Sequence, residues 1–587
     1  MTLITRHTFR VPRRCVLFLL AALATLPLQG QEPHVGLTQD WSTRHVILTN
    51  AASPAVAAAA SRDPRTWING LLHRPAYLFS TSSRIDGLLE KQVKSDETAP
   101  SASGWQGTYS VNRRSRIDWA VSLGPTGGMA RGETPAKFGF RPTGAPDCTN
   151  DFVVYTINAT PGVGTQANIV AFNKLYSGPG ANLCGAAPAF MWAYAVGNGR
   201  IFLSPVLSLD GKKIAFVEAS NPRPTFNVLQ WVSGQGTNAT GGAVAPGGGS
   251  SVTSLDFSNT TVAGCVANPV AADSNSSPFV DYDNDVAYVG ANNGVLYRIK
   301  NVFNGTPTLD YCITVNAGRA LTSPVYDSVT KKVFVSDGRS VFGYTPGAAS
   351  FTAAGSVTVA GTAGSIILAP IIDVSSALVY VFSTHNLTNT NEIVSQMPES
   401  LTTHVDAPIG PASGGSVLDG DFDNNYYQNG PATGSLYACG TQTASNTRPA
   451  LYTLTFLASG MMSPVPAMSN DRNINGAANP QGTCSPLLEF FDGTTDRLFV
   501  GTGAAGATTG ANLVTMWNIT SRIVSNAATP TATATNELGG TSAFTVDNNS
   551  PLPQASSTYF GTLASGAAAP CGAGLFCAVK LTQSALQ

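Results

Sequence analysis

Short apolar runs recur along most of the chain, and polar residues that favour tight turns separate them. Residues 277–299, SPFVDYDNDVAYVGANNGVLYRI, show the pattern well, because apolar runs flank an acidic turn and an Asn-Gly pair follows. Runs of this length with turn residues at both ends are typical of β-strands, and Asn-Gly favours a two-residue hairpin turn. The pattern therefore predicts antiparallel hairpins over this part of the chain.

The hairpin pattern repeats. Each copy has Ser or Ala before Pro, then apolar residues, an acidic turn and a further apolar strand; the clear copies are residues 204–217, 277–299, 323–344, 369–382 and 485–500. Weaker copies are residues 151–176, 414–456 and 540–582. A repeat of about 40–50 residues with three or four strands is typical of a β-propeller blade. The sequence thus predicts an all-β propeller of seven or eight blades, with a β-sandwich array or a β-solenoid as the alternative.

The region before the repeats differs in composition and predicts a small, partly helical segment. Residues 51–60 are rich in Ala, and we expect one or two short helices within residues 64–92 and a mobile stretch at 95–104. One interpretation pairs residues 40–49 with the last blade, which would close the ring.

A leader of the secretory type stands at the start of the chain. Four arginines, an apolar run at residues 15–28 and small residues near position 30 are features of a cleavable signal peptide. The apolar run is too short to span a bilayer comfortably, and no membrane span is expected after cleavage. We divide the chain into a signal peptide at 1–30, an N-terminal segment of mixed structure at 31–115 and the propeller at 116–587. Bacterial-type export to the periplasm, the medium or the cell surface is expected.

The composition excludes several classes of protein. Charged residues make up 11% of the chain, against about 25% in an average protein, which argues against a coiled coil or a charge-rich disordered chain. Removal of the leader leaves 29 basic and 34 acidic residues, so no basic surplus exists for contacts to nucleic-acid phosphates. We expect a monomer that does not bind nucleic acid.

Eight of the nine cysteines remain after loss of the leader, and an even number in an oxidising compartment predicts disulfides. Pairing of nearest neighbours is favoured if each local unit carries its own bridge, although sequence alone leaves other pairings open. No C-x-x-C motif or zinc-ligand spacing supports metal or redox chemistry. The favoured couples are Cys148 with Cys184, Cys265 with Cys312, Cys439 with Cys484, and Cys571 with Cys577.

Several segments resemble known propeller repeats. Residues 204–217, SPVLSLDGKKIAFV, resemble the TolB-type repeat S-P-x-x-S-x-D-G-x-x-I-A-F. The units at 277–299 and 323–344 resemble quinoprotein-type repeats, and RIDWAVSLG at 116–124 is similar to a segment of large exported bacterial proteins. These resemblances, over most of residues 116–582, imply the propeller fold. They imply no quinone cofactor, because the docking signature A-x-D-x-x-T-G-x-x-x-W is absent.

The sharpest candidate for metal chemistry is the sequence DGDFDNNYY, which contains Asp419, Asp421 and Asp423. Alternating carboxylates resemble the start of a calcium loop, and weak calcium sites suffice outside the cell. The bidentate Glu and the Gly of an EF-hand loop are missing. The alternative is that these residues form the same acidic turn as Asp281 and Asp283, with side chains that cap the hairpin. Calcium is the one cofactor that the sequence suggests.

The sequence offers little for catalysis. His385 and His404 flank a polar insertion in one blade, where surface loop positions are expected. The innermost strands begin with Ser-Pro or Ala-Pro, which give the channel no acid or base. Loops would have to bring Arg339, Glu392 or Asp421 to one face, and no nucleophile is assigned.

These observations favour a non-catalytic recognition or cell-surface scaffold for protein or carbohydrate. Loops around one concavity suit such ligands by hydrogen bonding rather than by charge. Two alternatives stay open, namely a propeller enzyme that acts on extracellular glycans as a lyase or hydrolase with a structural calcium, and a purely structural surface component.

Overall fold

The computed structural model places most of the chain after residue 37. Residues 1–37, and with them the predicted signal peptide, lie outside the described residues, as does the stretch 95–104. None of the helices described is long and apolar enough to cross a membrane. The described ranges are 38–73, 116–139, 147–179, 183–219, 223–262, 264–265, 270–412, 417–443, 446–467, 482–491, 494–503, 513–523, 530–535, 537–548 and 556–582.

Short elements open the described chain before the repeats begin. Helix α1 starts where the Ser53 side chain accepts a hydrogen bond from the Val56 amide and Pro54 occupies the first turn, both of which favour helix initiation. The elements are β1 (Thr38–Gln39), a 3-10 helix (Trp41–Arg44), β2 (Val46–Ile47), α1 (Pro54–Ala60), α2 (Pro64–His73) and β3 (Arg116–Gly124).

Eight sheets follow, one for each predicted repeat, and they form an eight-bladed β-propeller. The predicted fold class is confirmed, with eight blades. In blades one to four the strands run from the channel outwards in chain order. Blade one is β4 (Ala136–Phe138), β5 (Phe152–Thr156), β6 (Ile169–Asn173) and β7 (Ala189–Tyr194); blade two is β8 (Val206–Leu207), β9 (Lys213–Glu218), β10 (Thr225–Gln230) and β11 (Ser251–Leu255). Blade three is β12 (Phe279–Asp281), β13 (Val286–Gly290), β14 (Val295–Lys300) and β15 (Thr308–Thr314); blade four is β16 (Val325–Asp327), β17 (Lys332–Ser336), β18 (Ser340–Pro346) and β19 (Phe351–Thr358).

Blades five to eight continue the ring with more variation. Blade six has three strands among the described residues and a helix in its first turn, and blade seven has an additional short strand. Blade five is β20 (Ile371–Asp373), β21 (Leu378–Ser383), β22 (Asn391–Pro398) and β23 (Val405–Pro411); blade six is β24 (Gly420–Phe422), α3 (Asn424–Asn429), β25 (Ser435–Thr443) and β26 (Asn446–Thr455). Blade seven is β27 (Thr483–Cys484), β28 (Leu488–Phe491), β29 (Asp496–Gly503), β30 (Leu513–Asn518) and β31 (Ala532–Thr535); blade eight is β32 (Thr545–Asn548), β33 (Ser556–Gly561) and β34 (Phe576–Thr582).

Strand β3 closes the ring. It pairs antiparallel with β34, in a register that sets Ile117 opposite Leu581, and so becomes the outermost strand of blade eight. The interpretation that residues 40–49 pair into the last blade is wrong. That segment is interrupted by the 3-10 helix, which Asp40 caps, so its only strand, Val46–Ile47, has two residues, whereas β3 supplies nine to pair with the seven of β34.

The N-terminal segment instead enters the central channel. Strand β1 pairs antiparallel with β4 of blade one, and β2 pairs parallel with β20 of blade five, both on the channel side of these strands. Blades one and five are opposite one another in a ring of eight. Residues 38–47 therefore form a loop across the channel, which we call the plug loop, and its tip is residues 40–45.

The direction of β2 defines the two faces of the ring. We call the face where the innermost strands begin the upper face. Because β2 runs parallel to β20, the chain leaves the channel at the opposite, lower face, where α1 and α2 follow. There the Gln428 side-chain amide of α3 donates to the His73 carbonyl at 2.8 Å, so the helices are attached to blade six.

The Ser-Pro motif forms a hydrogen-bonded belt around the upper face. The Thr134 amide donates to Ser204 Oγ at 2.9 Å, the Ser204 amide to Ser277 Oγ at 2.9 Å, and the Ser277 amide to Ser323 Oγ at 2.8 Å. Each bond joins one blade to the next. The belt stops at blade five, because Ala369 has no hydroxyl at the matching position. The serine of the repeat is thus explained by contacts between blades.

One buried ion pair joins blade eight to blade one, and a second holds the closing strand at the same seam. Lys137 Nζ of β4 lies 3.3 Å from an oxygen of Asp547 in β32, and both side chains are fully buried. Lys580 Nζ of β34 lies 2.9 Å from Asp118 in β3 and donates to the Leu175 carbonyl of blade one at 2.8 Å. Charge pairs in such surroundings require their partners, so this seam depends on the correct closing strand.

All four favoured cysteine couples are bonded in the structure. The expectation that every bridge stays within one unit is wrong for Cys439–Cys484, which joins β25 of blade six to β27 of blade seven. These two strands come together because blades six and seven are neighbours in the ring. The bonds are Cys148–Cys184, Cys265–Cys312, Cys439–Cys484 and Cys571–Cys577.

Candidate functional site

A cavity of about 410 Å³ opens at the upper mouth of the channel. Its walls are the loops that lead into the innermost strands of blades one to five. The volume is within the range of about 300–1,000 Å³ that is usual for ligand pockets. The wall residues are Ala130, Gly132, Glu133, Thr134, Phe202, Leu203, Ser204, Asn275, Ser277, Ala320, Leu321, Thr322, Ser323, Gly338, Gly364, Ile366, Ile367, Leu368 and Ala369.

The plug loop forms the floor of this cavity through Trp41, Arg44 and His45. Trp41 Nε1 donates to the Pro278 carbonyl at 3.1 Å, and the indole ring meets the Phe279 ring edge to face, with centroids 6.1 Å apart. These contacts fix the floor to the innermost strand of blade three. The channel is therefore closed below the cavity.

Arg65 holds the plug loop in place from below. Its Nε donates to Ser42 Oγ at 2.5 Å, and its Nη2 donates to the Val280 carbonyl of blade three at 2.8 Å. The guanidinium also pairs with Asp63 at 3.0 Å and lies 4.0 Å from the centre of the Phe279 ring. One buried cation thus connects helix α2, the tip of the plug loop and a blade.

Asp419 faces the floor residues from blade six. Its Oδ2 lies 3.5 Å from Arg44 Nη2 and 3.6 Å from His45 Nε2, while His45 Nδ1 donates to the Pro370 carbonyl at 3.0 Å. Burial, and then the Arg44 guanidinium, lower the pKa of His45 to about 3, so the imidazole is neutral at pH 7. Burial raises the pKa of Asp419 to about 7. Asp419 directly precedes its inner strand, at the position where blades one to five have Pro.

The other two candidate calcium ligands have different partners. Asp421 accepts from the Phe422 amide at 2.9 Å, the Tyr427 hydroxyl at 3.0 Å and the Glu489 amide at 2.8 Å. Asp423 caps α3 by accepting from the Tyr426 amide at 2.8 Å. Across the described ranges, no group of three or more His, Cys, Asp or Glu is placed to hold a metal ion. The calcium site stays a prediction.

Glu133 is an acidic group of the cavity wall, but it is turned into the protein. Its carboxylate accepts from the Ala130 amide at 2.6 Å and from the Thr156 hydroxyl. Burial raises the pKa of Glu133 well above its usual value. Only 2% of the residue is exposed, so the wall offers little charge to a ligand.

The remaining sequence candidates lie apart from one another. His385 follows β21 at the upper face, with Nδ1 2.9 Å from Thr384 Oγ1, whereas His404 precedes β23 at the lower face, 2.7 Å from Asp406. The hydrogen bond to Asp406 raises the pKa of His404. Glu392 is buried and accepts from the Thr441 amide at 2.6 Å. Arg339 donates from Nε to the Ala360 carbonyl at 3.1 Å.

Strand pairing and the closed channel define the class, a β-propeller of eight blades with an internal plug. No protein-family model matches the chain, and no curated protein matches it. The resemblances to TolB-type and quinoprotein-type repeats therefore stay predictions.

Solved structures with a similar fold include BamB from Moraxella catarrhalis and Sqt1 from Chaetomium thermophilum. BamB is 12% identical, with a TM-score of 0.38, over 79% of this chain and 99% of BamB. Sqt1 is 10% identical, with a TM-score of 0.43, over 75% of this chain and 95% of Sqt1. These likenesses are too distant to support a function, and the fold assignment rests on the strand pairing itself.

Proposed function

We propose that the protein is a non-catalytic recognition scaffold that binds a protein or carbohydrate partner at the upper mouth of the channel. The observation that carries the proposal is the cavity with a closed floor. Its walls come from five blades, four of which are joined by the serine belt, so the binding surface is preformed. A preformed site loses little conformational freedom on binding, which favours affinity.

The arrangement of titratable groups supports binding over catalysis. His45 is a neutral, buried group that is bonded to a backbone carbonyl, and Glu133 is bonded to its own wall. A general acid or base must reach the substrate within hydrogen-bond distance. Neither group has that freedom, and the wall serines Ser204, Ser277 and Ser323 are part of the belt.

We place the protein outside the cytoplasm, in the periplasm, in the medium or at the cell surface. Four disulfides connect strands and loops of the ring, and such bonds persist in oxidising compartments. The predicted leader agrees with this location. A single-chain ring, complete with its own closing strand, agrees with a monomer.

The test is a binding screen with a matched pair of variants. Wild-type protein is applied to an oligosaccharide array and to an array of short capped peptides. Ile367→Asp changes a cavity residue that is 43% exposed, and Val465→Asp changes a residue on the lower face that is 69% exposed. We expect binding on one array that is lost only in Ile367→Asp.

Two outcomes would contradict the proposal. If both arrays stay blank with wild-type protein, the chain is a structural surface component. If an arrayed glycan is cleaved, the protein is an enzyme. Circular dichroism spectra of both variants exclude loss of the fold as the reason for lost binding.

A further inference from the structure

We infer that the cavity accepts one large, uncharged, apolar side chain from a peptide segment of a protein partner. This rests on the proposed function and chooses between its two classes of partner. Four observations support it, and they concern the cavity wall, its charge, its rim and its size.

The wall is predominantly apolar on the side of blades two, four and five. A sugar needs side chains that bond to its hydroxyls in several directions, and the three belt serines of the wall already accept one backbone bond each, which leaves them mainly as donors. An apolar side chain instead gains from every wall atom it removes from water. The apolar wall residues are Phe202, Leu203, Leu321, Ile366, Ile367 and Leu368.

Charges at the cavity are already paired. Arg44, on the floor, donates to the Leu487 carbonyl and lies 3.5 Å from Asp419. Glu133 accepts two hydrogen bonds within its own blade. A charged ligand would lose its hydration without a new partner, which is costly, so the site favours an uncharged occupant.

Apolar side chains are also exposed beside the cavity on the upper face. Ile367 of the wall is 43% exposed, and Leu387, in the loop between β21 and β22, is 49% exposed. The Asn386 carbonyl, next to Leu387, accepts a hydrogen bond from the Gly361 amide, which is three residues from the cavity residue Gly364. Exposed apolar side chains around a pocket are typical of protein interaction sites.

The volume sets the size of the occupant. A cavity of about 410 Å³ is near the lower end of the range for ligand pockets. It suits one aromatic or large aliphatic side chain together with its flanking peptide groups. Large anchors of this kind, seated in a central pocket, carry most of the binding energy of many interfaces.

The test uses capped pentapeptides, acetyl-Gly-Gly-Xaa-Gly-Gly-amide, in which the central residue is Trp, Leu, Lys, Glu or Gly. Saturation-transfer NMR and calorimetry measure their binding to the full-length mature protein, with chitotriose as the carbohydrate probe. We expect the Trp or Leu peptide to bind about tenfold more tightly than the Gly peptide or better, since burial of one such side chain is worth at least that factor. The Lys and Glu peptides should bind no better than the Gly peptide.

Variants locate the binding. Ile367→Asp should weaken binding of the best peptide about tenfold or more, and Val465→Asp on the lower face should leave it unchanged. Equal binding of all five peptides, or no effect of Ile367→Asp, would overturn the inference. If chitotriose binds, Ile367→Asp abolishes that binding and no peptide binds, this inference is overturned but the proposed scaffold function stands. If no ligand binds on either array, the proposed scaffold function is contradicted as well.

Discussion

Replacement of Arg65 by Met should release the plug loop. The side chain is 3% exposed and pairs with Asp63, whose side chain is 5% exposed. Met keeps most of the length of the side chain but removes the charge, so the Asp63 carboxylate stays buried without its cation. Two further bonds, to Ser42 and to the Val280 carbonyl, are lost with it.

The magnitude follows from the loss of one partner of a buried ion pair, which costs about 3–5 kcal/mol. Most of this should appear as local opening of residues 38–73, because the blades have their own cores and strand pairing. At 1.4 kcal/mol for each factor of ten, amide exchange of Ile372 and Val374, which donate to the His45 and Ile47 carbonyls, should accelerate about 100-fold or more.

Hydrogen-exchange mass spectrometry measures that opening, and urea denaturation measures global stability. Arg62→Met is the control, because Arg62 is in the same segment and its side chain is exposed. The Arg65→Met variant should also no longer bind the capped Trp peptide, because release of the plug loop removes the floor of the cavity. If Arg65→Met lowered stability by less than about 1 kcal/mol and left exchange at Ile372 unchanged, the anchoring role given to Arg65 would be refuted.

Three further predictions concern the blade junction, pH and calcium. Loss of the Cys439–Cys484 bond in a double Ala variant should lower the free energy of unfolding by about 4 kcal/mol, the chain-entropy value for a loop of 45 residues, and urea denaturation that shows no loss would contradict this. Burial raises the pKa of Asp419 to about 7 in the folded protein, whereas the same carboxyl has a pKa near 4 in the unfolded chain. The protonated carboxyl therefore stabilises the fold fully below pH 4, and this contribution is lost as the pH rises to 7. Asp419→Asn should therefore flatten the fall in Tm between pH 4 and 7, and an unchanged slope would contradict the assignment. Since Asp421 already accepts three hydrogen bonds, calcium and chelator should leave Tm unchanged; a shift that Asp421→Ala abolishes would instead establish the calcium site.

The propeller could be predicted from the sequence because each blade carries its own local pattern. Gly294 and Gly338, in the predicted hairpin turns, have φ of +83° and +82°, which Gly adopts without strain. The repeat pattern begins only at residues 151–176 and misses the start of blade one, because Thr134-Pro135 stands there in place of Ser-Pro. A pattern with either Ser or Thr before Pro includes this strand.

No comparable pattern in the sequence predicts the plug loop. Its strands β1 and β2 have two residues each, too few for a periodic pattern, and Trp41 bonds to Pro278, which is 237 residues away. The pairing of β1 and β2 with the blades and the hydrogen bond from Trp41 to Pro278 are both contacts between distant parts of the chain, so no nearby sequence feature predicts them. The cavity floor was unpredictable for the same reason. The acidic neighbours of Asp419 suggest a calcium ligand, whereas its position opposite Arg44 follows from the tertiary fold.

A photo-crosslink at the tip of the plug loop tests the central claim most directly. The photoreactive residue p-benzoylphenylalanine replaces Trp41, whose ring lies 6.1 Å from that of Phe279, and mass spectrometry identifies the crosslinked peptide after irradiation. If residues 41–45 form the floor of a closed channel, the crosslinks should be to the peptide that contains Pro278 and Phe279. Crosslinks to outer strands alone, or the absence of any crosslink to an innermost strand, would contradict the plug and with it the proposed binding cavity.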